Sequence, residues 1–165
     1  MKICIFGAGA IGGCMGVKLA QAGAEVSLVA RGPHLTAMQD KGLPLIEDDG
    51  NESTVKVKAS ETPADLGPQD YVIVTLKAQS VLPVVPKMQP LIDDHTSIVS
   101  GVNGVPRWYF HKIGGDLEGT RLQTVDPRSA QWNGFGPDRV LGRVVYPAAE
   151  VSTPGTIRHM EGNRF

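Results

Sequence analysis

The sequence predicts an α/β fold, and three observations carry that prediction. A short apolar strand, Lys2–Phe6, runs directly into Gly7-Ala8-Gly9-Ala10-Ile11-Gly12; residues 11–22 then show helical apolar spacing; residues 25–30 are apolar again, as a second strand would be. Strand, glycine turn, helix and strand make one βαβ unit, whose two strands lie parallel in one sheet. Further along, the nearly continuous apolar runs 71–76 and 97–102 have the character of central parallel strands, buried on both faces. The expectation is a Rossmann-type, doubly wound, mostly parallel sheet with peripheral hairpins.

Each glycine of the first turn has a mechanical reason. Gly7 permits the sharp exit from the strand, Gly9 lets backbone approach a pyrophosphate, and Gly12 lets the helix pack close to the sheet. Ala8, Ala10 and Ile11 complete the loop, and the helix N-terminus behind it points N–H groups at phosphate. Glycine-rich turns are common, so the weight comes from the position of this one, between a strand and a well-patterned helix. Residues 1–165 therefore read as one dinucleotide-binding domain. Where an NAD-binding domain carries Asp or Glu at the end of its second strand, this chain has Arg31, then Gly32-Pro33-His34. A cation there favours a 2′-phosphate, hence NADP over NAD; the alternative is a solvated strand-end arginine. His34 is either a second phosphate donor or, more simply, a surface histidine.

Composition narrows the function classes. With 165 residues the chain fits one domain of ordinary size. Sixteen basic and seventeen acidic residues leave a net charge of −1, so no global field recruits nucleic acid or an anionic membrane. The N-terminus enters a strand at once, without the apolar region of a signal peptide, and no run is long enough to span a bilayer, so a cytoplasmic protein is expected. Cys4 on the first strand and Cys14 on the first helix read as small buried hydrophobes, not as a disulfide or metal pair, and no metal site is expected. A homodimer is compatible with all of this.

The elements follow in order. On the first helix Ile11, Cys14, Met15, Leu19 and Ala22 form one stripe toward the sheet, with Lys18 and Gln21 off it and Gly23 as a cap. Pro33 and Gly42 bracket a short second helix over 33–41. Leu43–Ile46 and 54–57 read as a peripheral hairpin around Asp48-Asp49-Gly50-Asn51, whose acidic side chains form a solvated loop. Thr62-Pro63 suggests another helix start. Lys77 ends the central strand 71–76, in the region where open α/β sheets collect ligands; its alternative is a strand-end lysine reaching solvent, and residue type does not choose between them. Three prolines, Pro83, Pro86 and Pro90, leave room for one short, irregular helix over 79–91. Strand 97–102 ends in Asn103-Gly104-Val105-Pro106, and Pro106 suits the first turn of a helix to about His111. Asn103 shares the edge of the glycine loop and Lys77, with an amide able to donate and accept as a nicotinamide or oxo-acid contact requires; as an Asn-Gly turn residue it needs no ligand, and sequence alone leans that way. Residues 114–138 read as one long loop, a lid or contact surface. Strands are expected at 140–146 and 156–160 around a Ser152-Thr153-Pro154-Gly155 turn, with His159 in a structural role.

Taken jointly, Lys2-Ile3-Cys4-Ile5-Phe6-Gly7-Ala8-Gly9-Ala10-Ile11-Gly12, Arg31, Thr75-Leu76-Lys77-Ala78, Asn103-Gly104-Val105 and the Pro154-Gly155 turn before His159 resemble the ketopantoate reductase (2-dehydropantoate 2-reductase) family of the pantothenate and coenzyme A pathway. The resemblance covers essentially the whole chain and corresponds to the N-terminal, cofactor-binding half of that family's proteins. It implies that Gly7, Gly9 and Gly12 line the pyrophosphate, that Arg31 binds the 2′-phosphate of NADPH, and that Lys77 and Asn103 sit beside the nicotinamide and a small 2-oxo acid substrate. The implied reaction is hydride delivery from NADPH to the ketone of 2-dehydropantoate, giving pantoate. The family's proton-donating lysine and substrate-anchoring carboxylate lie on helices of a C-terminal domain that these residues do not include, so the isolated 165-residue chain is expected to be inactive. Segment 114–138 looks like an insertion relative to the plainer family pattern, which leaves open a reductase of a different 2-oxo or carbonyl substrate. A non-catalytic dinucleotide-binding module is the other alternative.

Overall fold

The computed structural model describes residues 1–164. Its strands are β1 (Lys2–Phe6), β2 (Glu25–Val29), β3 (Leu43–Ile46), β4 (Glu52–Val55), β5 (Lys58–Ser60), β6 (Tyr71–Val74), β7 (Ser97–Ser100), β8 (Val140–Gly142), β9 (Ala148–Thr153) and β10 (Thr156–Glu161); its α-helices are α1 (Ala10–Gln21), α2 (Gly32–Lys41), α3 (Ala78–Val81), α4 (Val85–Met88) and α5 (Ala130–Phe135). Every β1 residue after Lys2 is buried, which requires neighbours on both edges and layers on both faces. The edges go to β2 and β6, both parallel to it, in registers that end at Phe6↔Val29 and Phe6↔Val74. The full sheet runs β5-β2-β1-β6-β7-β8, all parallel. That is the Rossmann order, with the chain reversing direction across the sheet between β5 and β6.

Strand alternation sorts the core into two layers. Ile3, Ile5, Val26, Leu28 and Ile73 point to the side covered by α1. Cys4, Phe6, Val72, Val74 and Ile98 point to the other, covered by Val81, Val85, Met88 and Leu91. These last four come from a broken helical run. Pro83, Pro86 and Pro90 each open a new short piece (the 3-10 turn Leu82–Val84, then α4, then the 3-10 turn Gln89–Leu91), because a proline is tolerated in a first turn and not inside a helix.

Helix α1 does not have the single apolar stripe that the spacing suggests. A second sheet, β4-β3-β10-β9, covers its other side. A Cβ on Gly16 would stand 2.9 Å from Leu28 on the main sheet, and one on Gly13 would stand 2.7 Å from Ile157 on β10. Residues Gly12 through Val17 are consequently all buried, while Ala22, assigned to the stripe by spacing, is exposed. Glycines on two faces let the helix sink between two layers.

Several boundaries differ from expectation, each for a physical reason. The strand expected over 140–146 is only Val140–Gly142, and a strand not expected, β9, follows it; β9 is largely exposed and polar, and its conformation comes from antiparallel pairing with β10. No helix forms at 106–111. Tyr109 and His111 donate to the Pro106 and Trp108 carbonyls, three residues back in each case, so the chain makes successive turns. Arg107 is turned inward there, its guanidinium over the rings of Trp108 and Phe135. Burial pushes its pKa down to about 10, with the charge of Asp126 opposing. The long loop expected over 114–138 contains α5. The buried Asp126 carboxylate accepts from the Gln131 and Trp132 N–H groups at 2.9 Å each, Gly134 packs directly on Val85, and Phe135 enters the core. At Thr62 only a 3-10 turn, Pro63–Asp65, forms.

Candidate functional site: the carboxyl edge of the parallel sheet

Parallel registers bring four connections out at one edge of the sheet: the glycine loop after β1, Arg31 after β2, Thr75 to Lys77 after β6, and Gly101 to Asn103 after β7. Ligands of open α/β sheets bind at this edge, where the strand order reverses beside β1.

The glycine loop is held from both sides. Gly7 and Ala8 both donate to the Val29 carbonyl, at 3.2 and 3.0 Å, and the Thr75 hydroxyl donates to the Gly7 carbonyl at 2.7 Å. Gly7 has φ +104°, a backbone conformation that favours glycine, and a Cβ on it would also crowd the Leu76 side chain at 2.6 Å. A Cβ on Gly12 would overlap the Gly7 carbonyl and the Thr75 hydroxyl. Gly9 is the opposite case. A Cβ there would meet no described protein atom within 4 Å. Gly9 is the N-cap of α1, with no side-chain cap and no acidic residue in the first turn, so the N–H groups of Ala10, Ile11 and Gly12 face an open, anion-favouring cradle. The cradle has the donors and the clearance that a pyrophosphate needs.

Arg31 is exposed, in extended backbone at the N-cap of α2, and its side chain carries no hydrogen bond to protein among the described residues. His34, three residues on, is half-buried, which corrects its reading as a surface histidine. Its Nε2 lies 2.7 Å from the Ala8 carbonyl, and its Nδ1 accepts from the Gly155 N–H at 2.7 Å. Lys77 is exposed at the N-cap of α3. Asn103 is also exposed, but its amide is engaged: Nδ2 donates to the Val145 carbonyl at 3.0 Å and Oδ1 accepts from the Val145 N–H at 2.9 Å. A carboxamide has two donors and two acceptor sites, so Asn103 keeps one of each for a ligand. The sheet thus brings Gly7 to Gly12, Arg31, Lys77 and Asn103 to one edge. Sequence reasoning missed Thr75 and His34 as supports of the loop; a hydroxyl residue closing an otherwise apolar strand was the one available signal for Thr75.

Other titratable clusters lie away from this edge. His159 is buried, bonded to Glu47 Oε2 at 3.0 Å and to the Gly162 carbonyl at 2.6 Å, and Lys18 holds both Glu47 oxygens at 3.0 and 3.1 Å. With Asp48 alongside, these residues are close enough to suggest a metal, yet the Glu47 carboxylate is already committed to an ion-pair network that fastens α1 to the second sheet. Burial pushes the Cys4 thiol up to about 12 and the Cys14 thiol to about 11. No helix among the described residues is long and apolar enough to cross a membrane.

Comparison with known proteins gives a consistent set of relatives. The chain is 58% identical over 166 residues to a 2-dehydropantoate 2-reductase of Mesorhizobium japonicum, covering 100% of this chain and 51% of that protein. It is 33% identical over 140 residues to a 2-dehydropantoate 2-reductase of Pyrococcus abyssi, covering 82% of this chain and 46% of that one. Among solved structures, a protein of Ralstonia solanacearum MolK2 assigned as a ketopantoate reductase superposes with a TM-score of 0.87 at 44% identity, over 98% of this chain and 49% of that chain. A 2-dehydropantoate 2-reductase of Geobacter metallireducens GS-15 superposes with a TM-score of 0.79 at 25% identity, over 98% and 47% respectively. The chain spans about half the length of the curated relatives it matches. The family model for ketopantoate reductase PanE/ApbA matches residues 3–165, and with the sheet order, the glycine cradle and these relatives it establishes that the chain belongs to the ketopantoate reductase family.

Proposed function

We propose that this chain is the NADP-binding half of a cytoplasmic, NADPH-dependent 2-oxo acid reductase that converts 2-dehydropantoate to pantoate. The observation that carries the proposal is the adjacency, at one sheet edge, of the open Gly9 cradle and the exposed Arg31. In this reading the N–H groups at the start of α1 hold the pyrophosphate and the Arg31 guanidinium pairs with the 2′-phosphate, a charge-assisted contact that NADH lacks. Bound NADPH supplies the hydride. Asn103, with one N–H and one acceptor site still available, and the Lys77 ammonium orient the carboxamide and the substrate carbonyl at the far end of the same edge. The reduced ketone oxygen also needs a proton, and the family resemblance assigns its donor to a lysine outside these residues. Two reduced, buried cysteines accord with the cytoplasmic placement.

Nucleotide titration and a steady-state assay on the 165-residue chain test this. NADPH should bind in preference to NADH, while reduction of 2-dehydropantoate should fall about 10²–10⁴-fold short of an ordinary enzyme's rate, the usual cost of a missing general acid. Failure to bind either nucleotide would sink the proposal. Turnover in the ordinary range of about 1–10³ per second would place the proton donor within these residues instead.

A further inference from the structure

We propose that His34 is a positioning residue for the dinucleotide, holding the glycine loop in its ligand-accepting shape through the Ala8 carbonyl while anchored to the turn between β9 and β10. The proposal deepens the NADP-binding reading and rests on it. The chemistry of the two partners fixes the ring. A carbonyl only accepts, so Nε2 must carry the hydrogen that goes to Ala8; a backbone N–H only donates, so Nδ1 must present its lone pair to Gly155. His34 is therefore held as the neutral Nε2–H tautomer with both nitrogens used, which removes it from the role of phosphate donor.

The contact falls on the residue that decides how the cradle opens. Ala8 is buried, its N–H is given to Val29 and its carbonyl to His34, so the peptide groups on both sides of Ala8 are pinned immediately before the open Gly9. The anchor behind His34 is packed closely against α2. Gly155 has φ +85°, and a Cβ on it would lie 2.6 Å from the Cβ of Ala37, one turn along α2 from His34. The second sheet thus reaches the cofactor cradle through one imidazole, 121 residues apart in sequence.

The test compares His34→Ala, His34→Gln and His34→Asn in the 165-residue chain, using NADPH and, as a fragment that reaches Arg31 but not the glycine loop, adenosine 2′-monophosphate. His34→Ala should weaken NADPH about three- to tenfold, the scale of one net hydrogen bond, and leave the fragment within about twofold. His34→Gln, whose amide N–H reaches the Ala8 carbonyl, should restore most of the affinity; His34→Asn, which reaches only the Nδ1 position, should not. Should the alanine variant not fold, the Gln and Asn pair still decides: equal NADPH affinities in these two overturn the proposal. Equal losses for NADPH and the fragment, or none for either, also overturn it and leave the NADP-binding reading standing. Absence of NADPH binding by the unsubstituted chain overturns both.

Discussion

The Thr75 hydroxyl donates to the Gly7 carbonyl at 2.7 Å and so joins the end of β6 to the glycine loop at the end of β1. Across this junction α1 approaches closely enough that Gly12 can have no side chain, whereas Gly9, three residues earlier, opens on unoccupied space. The two glycines of one motif therefore answer to different physics: packing fixes Gly12, whereas packing leaves Gly9 free and only the proposed cofactor would require it.

That difference separates the two substitutions. Gly12→Ala should destabilise the fold, since its methyl would meet a backbone carbonyl that cannot move aside cheaply; overpacking of this kind costs about 1–3 kcal/mol, or roughly 2–12 °C in Tm for a chain of this size. Gly9→Val should leave Tm nearly unchanged and abolish most NADPH binding, because its methyls enter the space the pyrophosphate needs. Differential scanning fluorimetry with nucleotide titration distinguishes them, and a folded Gly9→Val with full affinity would remove the cradle from the site.

Arg31 is exposed and makes no side-chain hydrogen bond to protein among the described residues, so its removal should cost the fold little. Arg31→Ala is expected to lose roughly one to two orders of magnitude in affinity for NADPH and little for NADH, in line with a charge-assisted contact to the 2′-phosphate. Equal losses for both nucleotides would show that the guanidinium supports the loop and does not read the phosphate. Raised salt should narrow the gap between the nucleotides, since an exposed charge pair is screened.

The two buried thiols make stability pH-dependent on the alkaline side. Burial raises Cys4 from 9.0 to about 12 and Cys14 from 9.0 to about 11. Below pH 9 the folded and unfolded chains both keep these protons. Above it the unfolded chain releases protons that the folded chain retains, so folding stability should fall as pH rises from 9 toward 11–12. Urea midpoints measured between pH 8 and 10.5 should decline, less steeply in Cys4→Ser. Iodoacetamide at pH 8 should modify neither thiol until the chain is unfolded; rapid labelling of the native protein would contradict the burial.

The first βαβ unit was legible because its signals are local. The run of Ile3, Cys4, Ile5 and Phe6, the spaced glycines and the Pro33-to-Gly42 bracket of α2 each act through their own backbone. The candidate site residues Arg31, Lys77 and Asn103 could be placed at one edge from the strand ends alone, since parallel strands must all exit on the same side. Arg107 shows where this reasoning stopped: nothing in its immediate sequence marks an arginine as buried against Trp108 and Phe135, and its inward turn replaces the helix that Pro106 suggests.

By itself the sequence determined the parallel βαβ core, the glycine cradle and the cation beside it, because hydrophobic period, glycine conformation and charge are properties of neighbouring residues. Only the tertiary structure decided that α1 lies between two sheets, that β9 is a strand, that Asn103 clasps Val145 and that His34 joins Ala8 to Gly155. Each of these depends on a partner at least 26 residues away or on pairing with a second strand, and a polar group's partner is chosen by what the folded chain brings within about 3 Å, which no local pattern encodes.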